Sequence, residues 1–140
     1  MQSSDPKADH IRAIPFFAAA SLKAIQAVAS AADEIPVAAQ RELIKEGEHN
    51  RFAYIVQSGE AEVLVGDEAV ATIGSGEMIG ELGFFNRGAA TATVRAVTEM
   101  QVLALPYNRF ESVLDENPAM LRSITEDLAR RLRAMDARRP

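Results

Sequence analysis

Residues 41–106 constrain the fold most. Short β-branched segments follow one another there, separated by glycine, asparagine and aspartate, and one glycine-rich stretch is the only long interruption. "RELIKEG", "RFAYIVQSGEAEVLVGDEAVATIG" and "TATVRAVTEMQVLALP" have a periodicity nearer two than 3.6, as in Ala61-Glu62-Val63-Leu64-Val65 and Val94-Arg95-Ala96-Val97. Period two sends alternate side chains to opposite faces of a strand. Strands joined this closely must pair antiparallel, because a parallel pair needs a crossover of about a dozen residues. Gly66-Asp67 in "VGDEA" has the chemistry of a hairpin turn. The expected fold is mainly β: an antiparallel, jelly-roll-like β-roll with helices on both flanks.

Those flanks carry helical periodicity. Asp5 is placed to cap a first helix with Pro6 at its first position. Pro15 marks a break, and Ser21 is placed to cap a second helix with a stripe of Leu22, Ile25, Val28 and Ala29. Pro36 stops that helix by Ile35. After Pro106, "YNRFESVLDENP" reads as a short helix ended at Asn117-Pro118. A longer one follows, with Leu121, Ile124, Leu128, Leu132 and Met135 on one stripe. The expected layout is one domain over 1–140, with helices over about 5–33, a roll over 34–106 and two C-terminal helices over 107–140.

With 140 residues, nearly half of them hydrophobic, the chain has material for a core without staples. It has no cysteine, so disulfide and thiolate chemistry are excluded and a reducing cytoplasm is the expected setting. No apolar run approaches the roughly 20 residues that cross a bilayer, and the polar start "MQSSDPKADH" lacks a signal-peptide core. Net charge is −5, yet five arginines fall between Arg130 and Arg139. Such a tail suits either an anionic partner or, more simply, the negative end of a solvated helix.

Catalytic chemistry finds little to work with. His10 and His49 belong to no metal-ligand pattern, so neither a metal nor a jelly-roll metalloenzyme is expected. Ser58 in "QSGEA" reads as a hairpin residue rather than a nucleophile. "GEMIGELGFFNRGAATATVRA", residues 76–96, is different. Glycines let backbone amides approach an anion closely, and Glu81 offers a carboxylate to sugar hydroxyls. The plainer reading is tight turns and a short helix with Glu81 at its positive end.

The β-roll, the insert "GELGFF…ATATVRA" and the terminal helix pair together resemble the cyclic nucleotide-binding domain family, the type found in catabolite activators, protein kinase A regulatory subunits and nucleotide-gated channels. The resemblance runs from "IPFFAAASLKAIQAVASAADEIPVAAQRELIKEGE" through "ARRLRAM", with Gly59 at the family's tight turn. In that family the insert reads G-E-x-[AG]-x-x, a spacer, then often P-R-[AST]-A-x-V. Gly80, Glu81, Leu82 and Gly83 match its first half. The resemblance implies that Glu81 holds the ribose 2′-hydroxyl while amides around Leu82 and Gly83 face the phosphate. Thr91 and Ala92 match the small residues that follow the family's arginine.

The sequence departs from the pattern at three places. Ala90 stands where the phosphate-binding arginine is expected, and Ala89 where proline is common. Arg87 and Arg95 are the nearest replacements, but Arg95 should alternate away from Val94, and Arg87 lies in the spacer. Thr91 offers a hydroxyl that the resemblance associates with phosphate contact and tolerance of guanine; strand propensity explains Thr91 and Thr93 equally well. Met135 and Asp136 stand where the activators carry a base-contacting Thr-Ser pair.

The resemblance thus implies a non-catalytic regulatory module that binds cAMP or cGMP, weakly for want of the arginine, and signals through its C-terminal helices. The alternative is a degenerate fold serving as a protein–protein or structural module without nucleotide. Expected partners are the cyclic nucleotide, an effector, and at most a weak homodimer through the terminal helix. Direct DNA binding is not expected, since no helix-turn-helix precedes Pro140.

Overall fold

The computed structural model describes residues 6–137, apart from the side chains of residues 131 and 134–137. Helix α1 (Pro6–Arg12), a 3₁₀ turn (Pro15–Phe17) and α2 (Leu22–Ala31) come first. The expected cap at Asp5 lies outside the described residues. At Ser21 the hydroxyl accepts from the Ala24 amide at 3.1 Å, as its position predicts. Ile25, Val28 and Ala29 are buried as expected; Leu22 is not, and Ala24 takes its place, because the helix turns that flank toward α1 and the sheet.

Eight strands follow: β1 (Asp33–Val37), β2 (Glu42–Ile44), β3 (Phe52–Ser58), β4 (Ala61–Val65), β5 (Glu68–Ile73), β6 (Met78–Ile79), β7 (Thr93–Ala96) and β8 (Met100–Pro106). They form two four-stranded antiparallel sheets, ordered β1-β8-β3-β6 and β2-β7-β4-β5. The mainly β, antiparallel roll with flanking helices is therefore the fold of this chain. β4 and β5 are joined through Gly66-Asp67, with Val65 opposite Glu68. Pro36 does more than stop a helix: it sits within β1, at a sheet edge, where a missing N–H costs no ladder bond.

Both faces of the β3–β8 layer are covered, which is why "VLALP" reads as nearly continuous hydrophobe. Leu103 and Leu105 of β8, with Ala53 and Ile55 of β3, face a cluster built from Phe17, Ile25, Phe110 and Ile124. Val102 and Ala104, with Tyr54 and Val56, face the roll interior, where they meet Val37, Ile79, Val94 and Ala96. Each fully buried aliphatic or aromatic side chain contributes about 1.5–3 kcal/mol to stability.

The chain closes with α3 (Glu81–Phe85), inside the glycine-rich insert, then α4 (Tyr107–Glu116) and α5 (Pro118–Ala137). The break falls at Asn117-Pro118, where the Asn117 amide bonds Leu114 O at 3.1 Å. The expected stripe on α5 needs correction. Met120 and Ile124 are buried and Leu128 is half-buried against the helical cluster. Leu121 and Leu132 stay 40% and 62% exposed, since only the α5 face turned to the 3₁₀ turn and α4 is covered. Among the described residues no helix is long and apolar enough to cross a membrane.

Candidate functional site

The insert leaves the roll along β6 and turns at Gly80, whose φ of 81° lies in the left-handed region. A β-carbon there would sit 2.8 Å from Asn50 Nδ2 and 2.9 Å from Phe52 O, so only glycine fits. Helix α3 begins at Glu81, and its first-turn amides have no acceptor within the helix. A turn followed by a short helix over 79–85 is what the glycine spacing predicts. At Gly83 a β-carbon would come 2.6 Å from Tyr107 Oη. The Tyr107 hydroxyl donates to Gly80 O and accepts from Asn50 Nδ2 at 3.0 Å. Asn50 also donates to Phe52 O at 2.6 Å. One phenol thus locks the turn to the base of α4.

Phe84 anchors the other side of α3, with its ring 4.6 Å from Phe110 and 5.5 Å from Tyr107. Past Arg87 the chain is held mainly by backbone bonds. The Ala90 amide donates to Glu48 O at 2.8 Å, the Gly47 amide donates to Ala90 O at 2.8 Å, and Ala89 bridges His49. Beyond that bridge, Thr93 is buried and its hydroxyl accepts from the Glu46 amide at 3.0 Å, a use beyond strand propensity.

Between the insert and the roll lies a cavity of about 490 Å³, within the range of small-molecule sites. Gly80, Glu81, Leu82 and Gly83 line one side, and Ala90, Thr91 and Ala92 line the other. Its floor is apolar: Ile44, Val63, Ile73 and Val94, with Val63 directly opposite Val94 across β4 and β7. Sequence reading missed that floor, and Asn50 and Tyr107 with it. Strand alternation could have supplied Val63; nothing local could have supplied a tyrosine at position 107.

Among the described lining residues, Glu81 and Arg87 carry charge. Arg87 is turned toward α4: its guanidinium carbon lies 5.1 Å from the Phe84 ring centroid and 4.9 Å from that of Tyr107. Its Nε donates to Phe84 O at 3.0 Å, and Nη2 lies 3.7 Å from Glu111. Arg95 points away from the cavity and pairs with Glu62 at 2.7 Å, as alternation predicts. The Thr91 hydroxyl has no hydrogen-bond partner among the described residues, and the side chains of Met135 and Asp136 lie outside them. Burial raises the Tyr107 pKa; the Asn50 hydrogen bond and the Arg87 charge pull it back, and Glu81 pushes it up again. Tyr54 is also raised, chiefly by burial. Among the described residues no three His, Cys, Asp or Glu side chains are grouped to hold a metal.

The family model for the cyclic nucleotide-binding domain matches residues 34–117, from β1 through the end of α4. This chain belongs to that family. It is 34% identical over 96 residues to the cAMP-activated global transcriptional regulator CRP of Salmonella typhimurium, a match covering 64% of this chain and 46% of that protein. The chain thus spans about half the length of the curated regulators it matches. It is 33% identical over 81 residues to the rabbit (Oryctolagus cuniculus) potassium/sodium hyperpolarization-activated cyclic nucleotide-gated channel 4, covering 58% of this chain and 7% of the channel. Among solved structures, the N-terminal domain of a transcriptional regulator from Streptomyces coelicolor A3(2) superposes with a TM-score of 0.80 at 28% identity, covering 94% and 98% of the two chains.

Proposed function

We propose that this chain is a non-catalytic regulatory module that takes cAMP or cGMP into the cavity beneath α3. The carrying observation is the convergence of Gly80, Glu81, Leu82, Gly83, Ala90, Thr91 and Ala92 on that one cavity. Glu81 accepts from the ribose hydroxyl, the amides of Leu82 and Gly83 face the phosphate, and the apolar floor packs under the sugar. Ala90 stands where a guanidinium would face the phosphate, and Thr91 offers that side a hydroxyl. Losing one partner of such a pair costs about 2–5 kcal/mol, roughly 30-fold to several thousand-fold in affinity, so binding is weak. The edge-on packing of Phe84 against Tyr107 and its tilted packing against Phe110 support a route outward, since movement of the insert displaces α4 and then α5. Leu132, exposed at 62% on α5, supports a weak homodimer contact at that helix, and an effector would read the same movement.

Titration calorimetry with cAMP and cGMP tests this, with Glu81→Ala as the partner variant. Binding in the wild type that the variant loses, at unchanged melting temperature, supports the reading. Equal binding in both removes Glu81 from the site. Ala90 also favours a second reading, a protein–protein module without nucleotide. No heat with either nucleotide, for the wild type and for Ala90→Arg alike, decides for that one.

A further inference from the structure

Arg87 has a place that the family pattern does not account for. It lines the cavity, yet its guanidinium rests on the rings of Phe84 and Tyr107 and faces a carboxylate of α4. Its tether is partial. Nε is engaged with Phe84 O at 3.0 Å, whereas Nη2 meets Glu111 only at 3.7 Å. The Arg87 and Glu111 side chains are 54% and 63% exposed. An exposed single-contact pair of that length holds weakly. A guanidinium carries five donors, so most of its capacity is left for a bidentate acceptor. No other cationic side chain lines the cavity among the described residues.

We propose that Arg87 is this cavity's phosphate-reading cation, for which Glu111 and the phosphate of an entering cyclic nucleotide compete. The inference rests on the reading of the cavity as a cyclic nucleotide site and adds to it a residue and a coupling. Glu111 lies on α4 and Arg87 on the insert, so the pair ties the two together. An incoming phosphate competes with Glu111 for the same guanidinium, and binding cuts that tie. The ring contacts let the guanidinium slide across an aromatic surface without full rehydration. Affinity is then set by a contest between two anions rather than by a preplaced charge.

The experiment compares cAMP with adenosine, which lacks the phosphate, in the wild type, Arg87→Gln, Glu111→Gln and Ala90→Arg. The wild type should prefer cAMP by about tenfold or more, the size of one charge-assisted hydrogen bond. Arg87→Gln should erase that preference while leaving adenosine affinity in place, which also controls for folding. Glu111→Gln should raise cAMP affinity without changing that for adenosine. Equal affinity for both ligands in the wild type, or a preference that survives Arg87→Gln, overturns the proposal. So does cAMP binding that appears only in Ala90→Arg. No binding by the wild type or by Ala90→Arg defeats the reading of the cavity itself, and this inference with it.

Discussion

The two halves of the insert are built on opposite principles. The front half, β6 through α3, is held by side chains: the Tyr107 hydroxyl on Gly80 O, Asn50 beneath the turn, and Phe84 wedged between Tyr107 and Phe110. The back half, residues 88–92, is held by backbone bonds to Gly47 and Glu48 and by the bridge to His49. In the first, residue identity is enforced by space. In the second, backbone bonds set the course of the chain, and Ala90 packs partly against the roll interior. The course of this half therefore owes more to backbone pairing than to the side chain at position 90.

The largest expected effect breaks the front half. Gly80→Val sets a β-branched residue at φ 81°, with its β-carbon 2.8 Å from Asn50 Nδ2. Backbone strain and overpacking together should cost about 3 kcal/mol in denaturant unfolding. A loss below about 1 kcal/mol would mean that the turn is not enforced by space.

Next, Ala90→Arg tests the back half. Stability should change by no more than about 0.5 kcal/mol, while cAMP affinity rises at least about tenfold. Calorimetry and melts on the same protein decide the matter. A destabilised variant would show that the back half depends on its side chains after all.

Smaller again is Tyr107→Phe, which strips the hydroxyl from Gly80 O and Asn50 and should cost about 1–2 kcal/mol. Amide exchange should quicken at residues 80–83, while Thr91→Val in the back half should leave exchange there unchanged. Equal effects from the two substitutions would erase the contrast.

The smallest effect is alkaline. Tyr107 and Tyr54 both titrate above the ordinary tyrosine value of 10.0, chiefly through burial. The unfolded chain therefore releases these protons first. Their contribution to stability is whole below that value and declines as pH rises past it. Urea midpoints followed from about pH 8 to pH 11 should fall more steeply in the wild type than in Tyr107→Phe. Parallel curves would show that the phenol at the base of the front half is not held in its neutral form.

Much of the site was legible because glycine and proline mark backbone geometry directly. Gly80 and Gly83 announced a close approach, although the group that approaches Gly83, the Tyr107 hydroxyl, sits 24 positions further on. Val94 and Arg95 were sorted correctly to opposite faces because alternation is a property of one strand. The α5 stripe was misjudged at Leu121 and Leu132 because periodicity gives an apolar flank without saying how much of it a neighbour covers. Arg87 was read as a spacer residue and a candidate replacement for the missing arginine; its seat on two rings and Glu111 depends on α4, a separate element.

By itself the sequence determined what a few neighbouring residues decide: the Ser21 cap, the Gly66-Asp67 hairpin, the break at Pro118 and the turn at Gly80. Each rests on steric limits or hydrogen bonds within about a turn of chain, so local composition suffices. Tertiary structure alone decided where Pro36 sits in a sheet, which phenol pins Gly80, and which carboxylate holds Arg87. Those outcomes depend on elements that meet only when the helical cluster packs onto β3 and β8. No residue in the insert encodes its partner across that gap.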